Sequence, residues 1–207
     1  MSYVALLRAV NVGGVTLQMT ELRALLEGLG LHHVRTYLQS GNAVFDAADD
    51  EPPSALASAI ALRIQRDVGP RVGVLVLTGD ALNDVVTANP FLAEPTASEE
   101  GLHATFLFGV EDSGDFGEAS EAAYSAVYEA AFRRLELPAD EGEAAVLVGA
   151  PPLAAPVVYL KLPHGYGRSK LNNGWFERKL GAAATTRNWR TVTALAGMAA
   201  GRTESGR

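Results

Sequence analysis

The chain has 207 residues, 48% hydrophobic and 20% charged, which is ample for a packed core in one domain or two small ones and excludes disordered and collagen-like architectures. It has no cysteine, which removes disulfides, thiolate nucleophiles and Cys-ligated metal sites, and the apolar opening at residues 3–10 carries Arg8 and lacks a secretion signal's basic start and cleavage site, so a soluble cytoplasmic protein with no membrane anchor is expected. The net charge of -7 conceals an asymmetry: residues 1–45 carry +1, residues 46–155 carry -15 and residues 156–207 carry +7, which describes an acidic solvated middle and a basic C-terminal quarter.

Residues 3–10 form a nearly continuous apolar run broken at Asn11 to Gly14, the pattern of a buried strand ending in a glycine turn. Thr20 is a good N-cap for a helix through about Leu29, with Leu22, Leu25, Leu26 and Leu29 on one face and Gly30 in the place of a C-terminal glycine. Residues 33–38 and 42–46 flank Gln39-Ser40-Gly41 and predict a hairpin, with Gly41 supplying a positive φ. Pro52 and Pro53 open a helix of about 15 residues with Leu56, Ile60 and Ile64 on one face. Residues 72–77 are the most strand-like run of the chain, and residues 80–88 predict a short helix.

A polar connector spans Asn89-Pro90-Phe91 and residues 95–101, so a boundary near residue 95 is expected between halves 1–95 and 96–199, with a frayed tail at 200–207. The second half repeats the rhythm: strand at 103–110, helix at 120–135, strands at 143–148 and 157–162, and helices at 169–180 and 188–198. This order predicts an α+β fold of two similar ferredoxin-like sandwich halves arising by duplication, with mixed strand pairing and helices on one sheet face. A doubly wound sheet is the alternative.

Four motifs concentrate the polar chemistry. Leu7-Arg8-Ala9-Val10-Asn11-Val12-Gly13-Gly14 places a cation and an amide at a strand end beside glycines that let a ligand approach the backbone; a tight turn with Arg8 paired to an acid explains it equally well. Thr36-Tyr37-Leu38-Gln39-Ser40-Gly41-Asn42 packs polar side chains around one turn that needs only Gly41 and Asn42. In the third, Gly165 and Gly167 precede Arg168, Ser169 and Lys170 at an expected helix N-terminus, where free N–H groups and the helix dipole favour an anion. The P-loop spacing is absent, so the motif implies phosphate or carboxylate affinity without nucleotide hydrolysis. The fourth, Thr185-Thr186-Arg187-Asn188-Trp189-Arg190, is placed at another helix start, with Arg187 as its candidate ligand and Trp189 as core.

Taken together, residues 6–14, 36–42, 89–91, 165–171 and 186–192 resemble the bacterial domain of unknown function family 1697, over about residues 3–197. The resemblance implies two similar α+β halves and no established activity. It also marks Ala9 as a departure, since the family pattern has glycine there.

His32 and His33 are expected on opposite sides of a strand, and His103 and His164 are isolated, so neither a metal site nor a cofactor is implied. No nucleophile elbow is present, and the acidic middle singles out no catalytic carboxylates or general base, so enzymatic activity stays open. The leading expectation is that Arg8, Asn11, Gln39, Ser40, Asn42, Arg168, Ser169, Lys170 and Arg187 converge on one pocket between the halves that binds a phosphorylated or carboxylated small molecule. Nucleic-acid binding through the basic quarter is the runner-up, weakened because Phe106 and Phe108 lack the flanking glycine and cations of an RNA-recognition strand. A protein-interaction or oligomerisation module is the third reading.

Overall fold

A computed structural model of the chain describes residues 1–11, 15–48, 51–94, 99–109, 121–149 and 153–201. The expectations for Gly13, Gly14, Ser120, the boundary at residue 95 and the tail from 202 lie outside them. The described residues form two four-stranded antiparallel sheets and six α-helices, a mixed α+β fold. They divide into two compact units, Met1–Asn83 with Thr193–Arg207, and Asp84–Val192.

In the first unit, β1 (Ser2–Leu7), α1 (Met19–Glu27), β2 (His32–Thr36), β3 (Asn42–Asp46), α2 (Pro53–Val68) and β4 (Val74–Thr78) follow in order, and α3 (Gly79–Thr87) leads onward. The sheet order is β2-β3-β1-β4. Tyr3, Ala5 and Leu7 on one face of β1 share a core with Leu22 and Leu26 of α1 and Leu56, Ile60 and Ile64 of α2. Val4 and Leu6 on the other face are equally buried. A strand buried on both faces reads as an unbroken apolar run rather than an alternating one, which is why residues 3–10 look as they do. Thr20 is not the cap of α1: the helix begins at Met19, and Gln18 at the cap position makes no side-chain bond. Both β2 histidines are exposed, because a bulge between His32 and Arg35, with His33 at φ 50°, breaks the alternation expected of them.

The second unit contains β5 (Leu102–Phe108), α4 (Glu121–Phe132), β6 (Ala144–Val148), β7 (Val157–Lys161), α5 (Asn173–Leu180) and β8 (Ala183–Asn188), after which α6 (Trp189–Ala199) returns the chain to the first unit. Its sheet order, β6-β7-β5-β8, repeats the first with every number raised by four. Leu107, Val158 and Leu160 of the sheet pack with Phe176 and Leu180 of α5. Trp189 is 1% exposed, the core residue that its helical spacing predicts. All named strand pairs are antiparallel, so the expected mixed pairing gives way: each strand's neighbours in space run opposite to it. A parallel doubly wound sheet is excluded for the same reason.

Candidate functional site

The five first-unit residues of the expected site surround the end of β1. Beyond Leu7 the backbone enters the left-handed region at Ala9 (φ 56°) and Asn11 (φ 57°). The Asn11 amide nitrogen donates to the carbonyls of Leu17 at 2.8 Å and Gln39 at 2.7 Å, and its oxygen accepts from the Leu17 N–H at 3.0 Å. Asn42 is wholly buried and donates to the Tyr37 carbonyl at 2.9 Å and to Ser40 Oγ at 3.0 Å. Each amide thus satisfies backbone carbonyls that the tight turns leave without strand or helix partners. Gln39 is exposed and contributes its carbonyl to this arrangement, while Arg8 is half-buried and donates its backbone N–H to Gly73.

In the second unit the Gly-Tyr-Gly-Arg-Ser-Lys motif is a series of turns rather than a helix start. α5 begins at Asn173, capped by the Asn172 side chain, which accepts from the Trp175 N–H at 3.1 Å. Ser169 is buried; its hydroxyl donates to Glu143 at 3.0 Å and accepts from the Leu171 N–H at 3.0 Å. Lys170 is exposed and 3.4 Å from Asp140. Two carboxylates therefore face the motif and lower the positive potential expected there. Arg168 is exposed.

Arg187 differs from the other cations. Its motif does sit at a helix start, with α6 beginning at Trp189 and Asn188 accepting from the Thr191 N–H at 2.8 Å, but Arg187 itself lies on β8, a strand that the motif does not announce, paired with Ala104 of β5. Its side chain is buried, and it donates to Thr185 Oγ1 at 2.8 Å and to the Thr186 carbonyl at 2.9 Å. Burial pulls its pKa down to about 10, with Tyr166 acting in the opposite direction. The group remains a cation at neutral pH.

Thr186, which precedes Arg187 on β8, belongs to a polar cluster that the sequence does not reveal. Strand register sets Thr105 of β5 opposite Thr186 of β8, and their hydroxyls are 2.7 Å apart. The Tyr166 hydroxyl donates to Thr186 at 3.3 Å and accepts from the Asn173 N–H at 3.1 Å. The His103 ring stacks on Tyr166 with centroids 5.4 Å apart. Burial lowers the His103 pKa, so the ring is neutral, and its Nδ1 is 3.3 Å from the Gly101 carbonyl. Since a carbonyl only accepts, Nδ1 carries the proton and Nε2 is the free base. Tyr166 and Thr186 fall inside two of the four motifs, a signal that was present, whereas Thr105 and His103 become neighbours only through strand pairing.

No group of three or more metal-ligating side chains occurs among the described residues. Two open clefts of about 450 and 360 Å³, both on the first unit, are lined by none of the nine expected site residues.

Comparison with known proteins bears on the first two-thirds of the chain most directly. The family described as "Protein of unknown function (DUF1697)" matches residues 1–133. The chain belongs to this family. The matched stretch contains three of the five motifs, at residues 6–14, 36–42 and 89–91; those carrying Arg168 and Arg187 follow it. The chain is also similar to a solved structure, the conserved bacterial protein SP0830 from Streptococcus pneumoniae, with a TM-score of 0.64 and 21% identity over 96% of this chain and 98% of that one. At that identity the likeness extends to fold alone. No curated protein matches the chain.

Proposed function

We propose that this member of the DUF1697 family binds a phosphorylated or carboxylated small molecule, with Arg187 as the anchoring cation. The observation that carries the reading is the setting of Arg187: a charged guanidinium only 8% exposed, beside the Thr185 hydroxyl, with its pKa pulled down by burial. Burial weakens solvent screening, so the same cation attracts an anion more strongly there than on the surface. A planar guanidinium also matches the oxygen spacing of carboxylate and phosphate. Arg168 and Lys170, both exposed and in the same unit, add long-range attraction. Arg8, Asn11, Gln39, Ser40 and Asn42 form a separate polar set within the first unit, with Arg8 as its candidate cation.

We further infer that the two sheets are ferredoxin-like halves of a duplication, meeting near residue 95. The identical strand order and the repeated strand, helix, strand, strand, helix, strand sequence support this. A nucleic-acid reading has less support, since Phe106 is fully buried and β5 does not offer two rings for bases to stack on.

The test is a melting-temperature titration with inorganic phosphate, sulfate and citrate. A ligand at 100 times its Kd stabilises by about 2.7 kcal/mol, and Arg187→Met, which keeps the side-chain volume without the charge, should abolish the shift. Arg8→Ala and Lys170→Ala report whether those cations contribute. An unchanged melting temperature with all three anions, or a shift that survives Arg187→Met, would overturn the reading.

A further inference from the structure

We propose that Tyr166 is the positioning residue of this anion site, holding the basic loop against β8 through a closed ring of hydrogen bonds; the inference rests on the reading of Arg187 as anchor. Thr186 has one hydroxyl proton and three oxygen neighbours: Asn173 Oδ1 at 2.5 Å, Thr105 Oγ1 at 2.7 Å and Tyr166 Oη at 3.3 Å. The amide oxygen accepts only, so Thr186 donates to Asn173, and Thr105 and Tyr166 must both donate to Thr186. Tyr166 Oη in turn accepts from the backbone N–H of Asn173 at 3.1 Å. The circuit therefore closes: Asn173 N–H to Tyr166, Tyr166 O–H to Thr186, Thr186 O–H to Asn173 Oδ1. Every proton in it has one direction, and each bond polarises the next.

The placement of the ring gives it a purpose beyond packing. Asn173 is the first residue of α5, and Thr186 precedes Arg187 on β8. Tyr166 precedes Arg168 and Lys170 by two and four residues. One hydroxyl thus fixes the basic loop and the start of a helix to the strand that carries the buried cation. The aromatic ring is held as well, stacked on His103 at an interplanar angle of 26°. Tyr166 does not need to touch the anion; a loop held in one place presents Arg168 and Lys170 without the ordering cost that a free loop would incur on binding.

Tyr166→Phe keeps the ring and its stack and removes only the hydroxyl. Inorganic phosphate binding to the full chain should then weaken by about two- to tenfold, the span that one net hydrogen bond is worth. The readouts are the phosphate Kd and the phosphate-induced shift of the Arg187 side-chain N–H resonance, which a merely structural tyrosine would leave as in the wild type once the protein is folded. Thr186→Val, which removes the acceptor of Tyr166, should weaken phosphate to a similar extent, and Thr186→Ser, which retains the oxygen, should restore it; this pair decides the matter if Tyr166→Phe does not fold. Wild-type phosphate binding that is undiminished in Tyr166→Phe and Thr186→Val would overturn the positioning role and leave Arg187 as anchor. A wild type that binds no anion overturns both.

Discussion

Ala9 holds a backbone conformation that an L-residue adopts at a cost of about 1 kcal/mol or more, and its exposed methyl group offers little packing in return. Ala9→Gly should therefore raise stability by about 0.5–1 kcal/mol in denaturant unfolding; a loss would mean that the turn is unstrained. Gly41 is the opposite case. Its φ is 71°, and an added Cβ would lie 2.8 Å from Leu7 Cβ and 3.3 Å from Val10 Cβ. Gly41→Ala combines a left-handed penalty with a clash, so a loss of about 2–4 kcal/mol is expected by the same measurement. His103 carries a pH signature. Its folded pKa lies below the ordinary value of about 6.5 because burial disfavours the imidazolium. The stability it contributes is fully present above that ordinary value and is lost as pH falls below it, towards the folded pKa. An NMR titration should find His103 titrating below the ordinary imidazole value, and His103→Gln should flatten the acid limb of the stability profile below neutral pH.

The elements that differ from expectation do so because local signals competed. Ser169 has the chemistry of an N-cap and accepts the Leu171 N–H, yet its hydroxyl also serves Glu143, and the chain turns again before Asn172 captures the Trp175 N–H. Phe176 and Leu180 then set the buried face of α5, and Gly181 at φ 67° closes it. Asn172→Ala should cost about 1 kcal/mol of stability, measurable by thermal unfolding, and a neutral result would show that the cap is dispensable. Strand β8 was hidden for another reason. Ala183, Ala184, Thr185, Thr186, Arg187 and Asn188 carry modest strand propensity and no helix-strand contrast; six register pairs with β5, from His103↔Asn188 to Phe108↔Ala183, make the segment a strand. Regular apolar spacing, by contrast, was enough for α2, whose Leu56, Ile60 and Ile64 are the buried residues expected.

For the molecule as a whole, charge decides which large partners are disfavoured. The -15 carried by residues 46–155 outweighs the +7 of the C-terminal quarter, so phosphate backbones meet net repulsion beyond any local basic patch. RNA and DNA should accordingly bind weakly, without sequence preference and with affinity falling steeply in added salt. Submicromolar binding at roughly physiological salt in a fluorescence-anisotropy titration would reverse that ranking. Among the described residues no helix is long and apolar enough to cross a membrane.

Composition, apolar periodicity and turn residues are local properties, and they sufficed for the α+β class, for most helices and strands, for the hairpin around Gly41 and for membership of the DUF1697 family. Burial, register and proton direction are not local. Arg187 reads in sequence as a helix-start cation equivalent to Arg168 and Lys170; only strand pairing with β5 buries it and leaves the other two at the surface. The Thr105–Thr186 contact joins residues 81 apart in the chain, and His103 reaches Tyr166 across 63, so neither pairing leaves a mark on local spacing. Even Asn11 and Asn42, chosen as ligand groups for their chemistry, are shown by the folded chain to serve the carbonyls of their own turns. Residue types set which interactions a segment could make, and tertiary structure selected among them because desolvation and hydrogen-bond geometry depend on neighbours that the chain brings together only on folding.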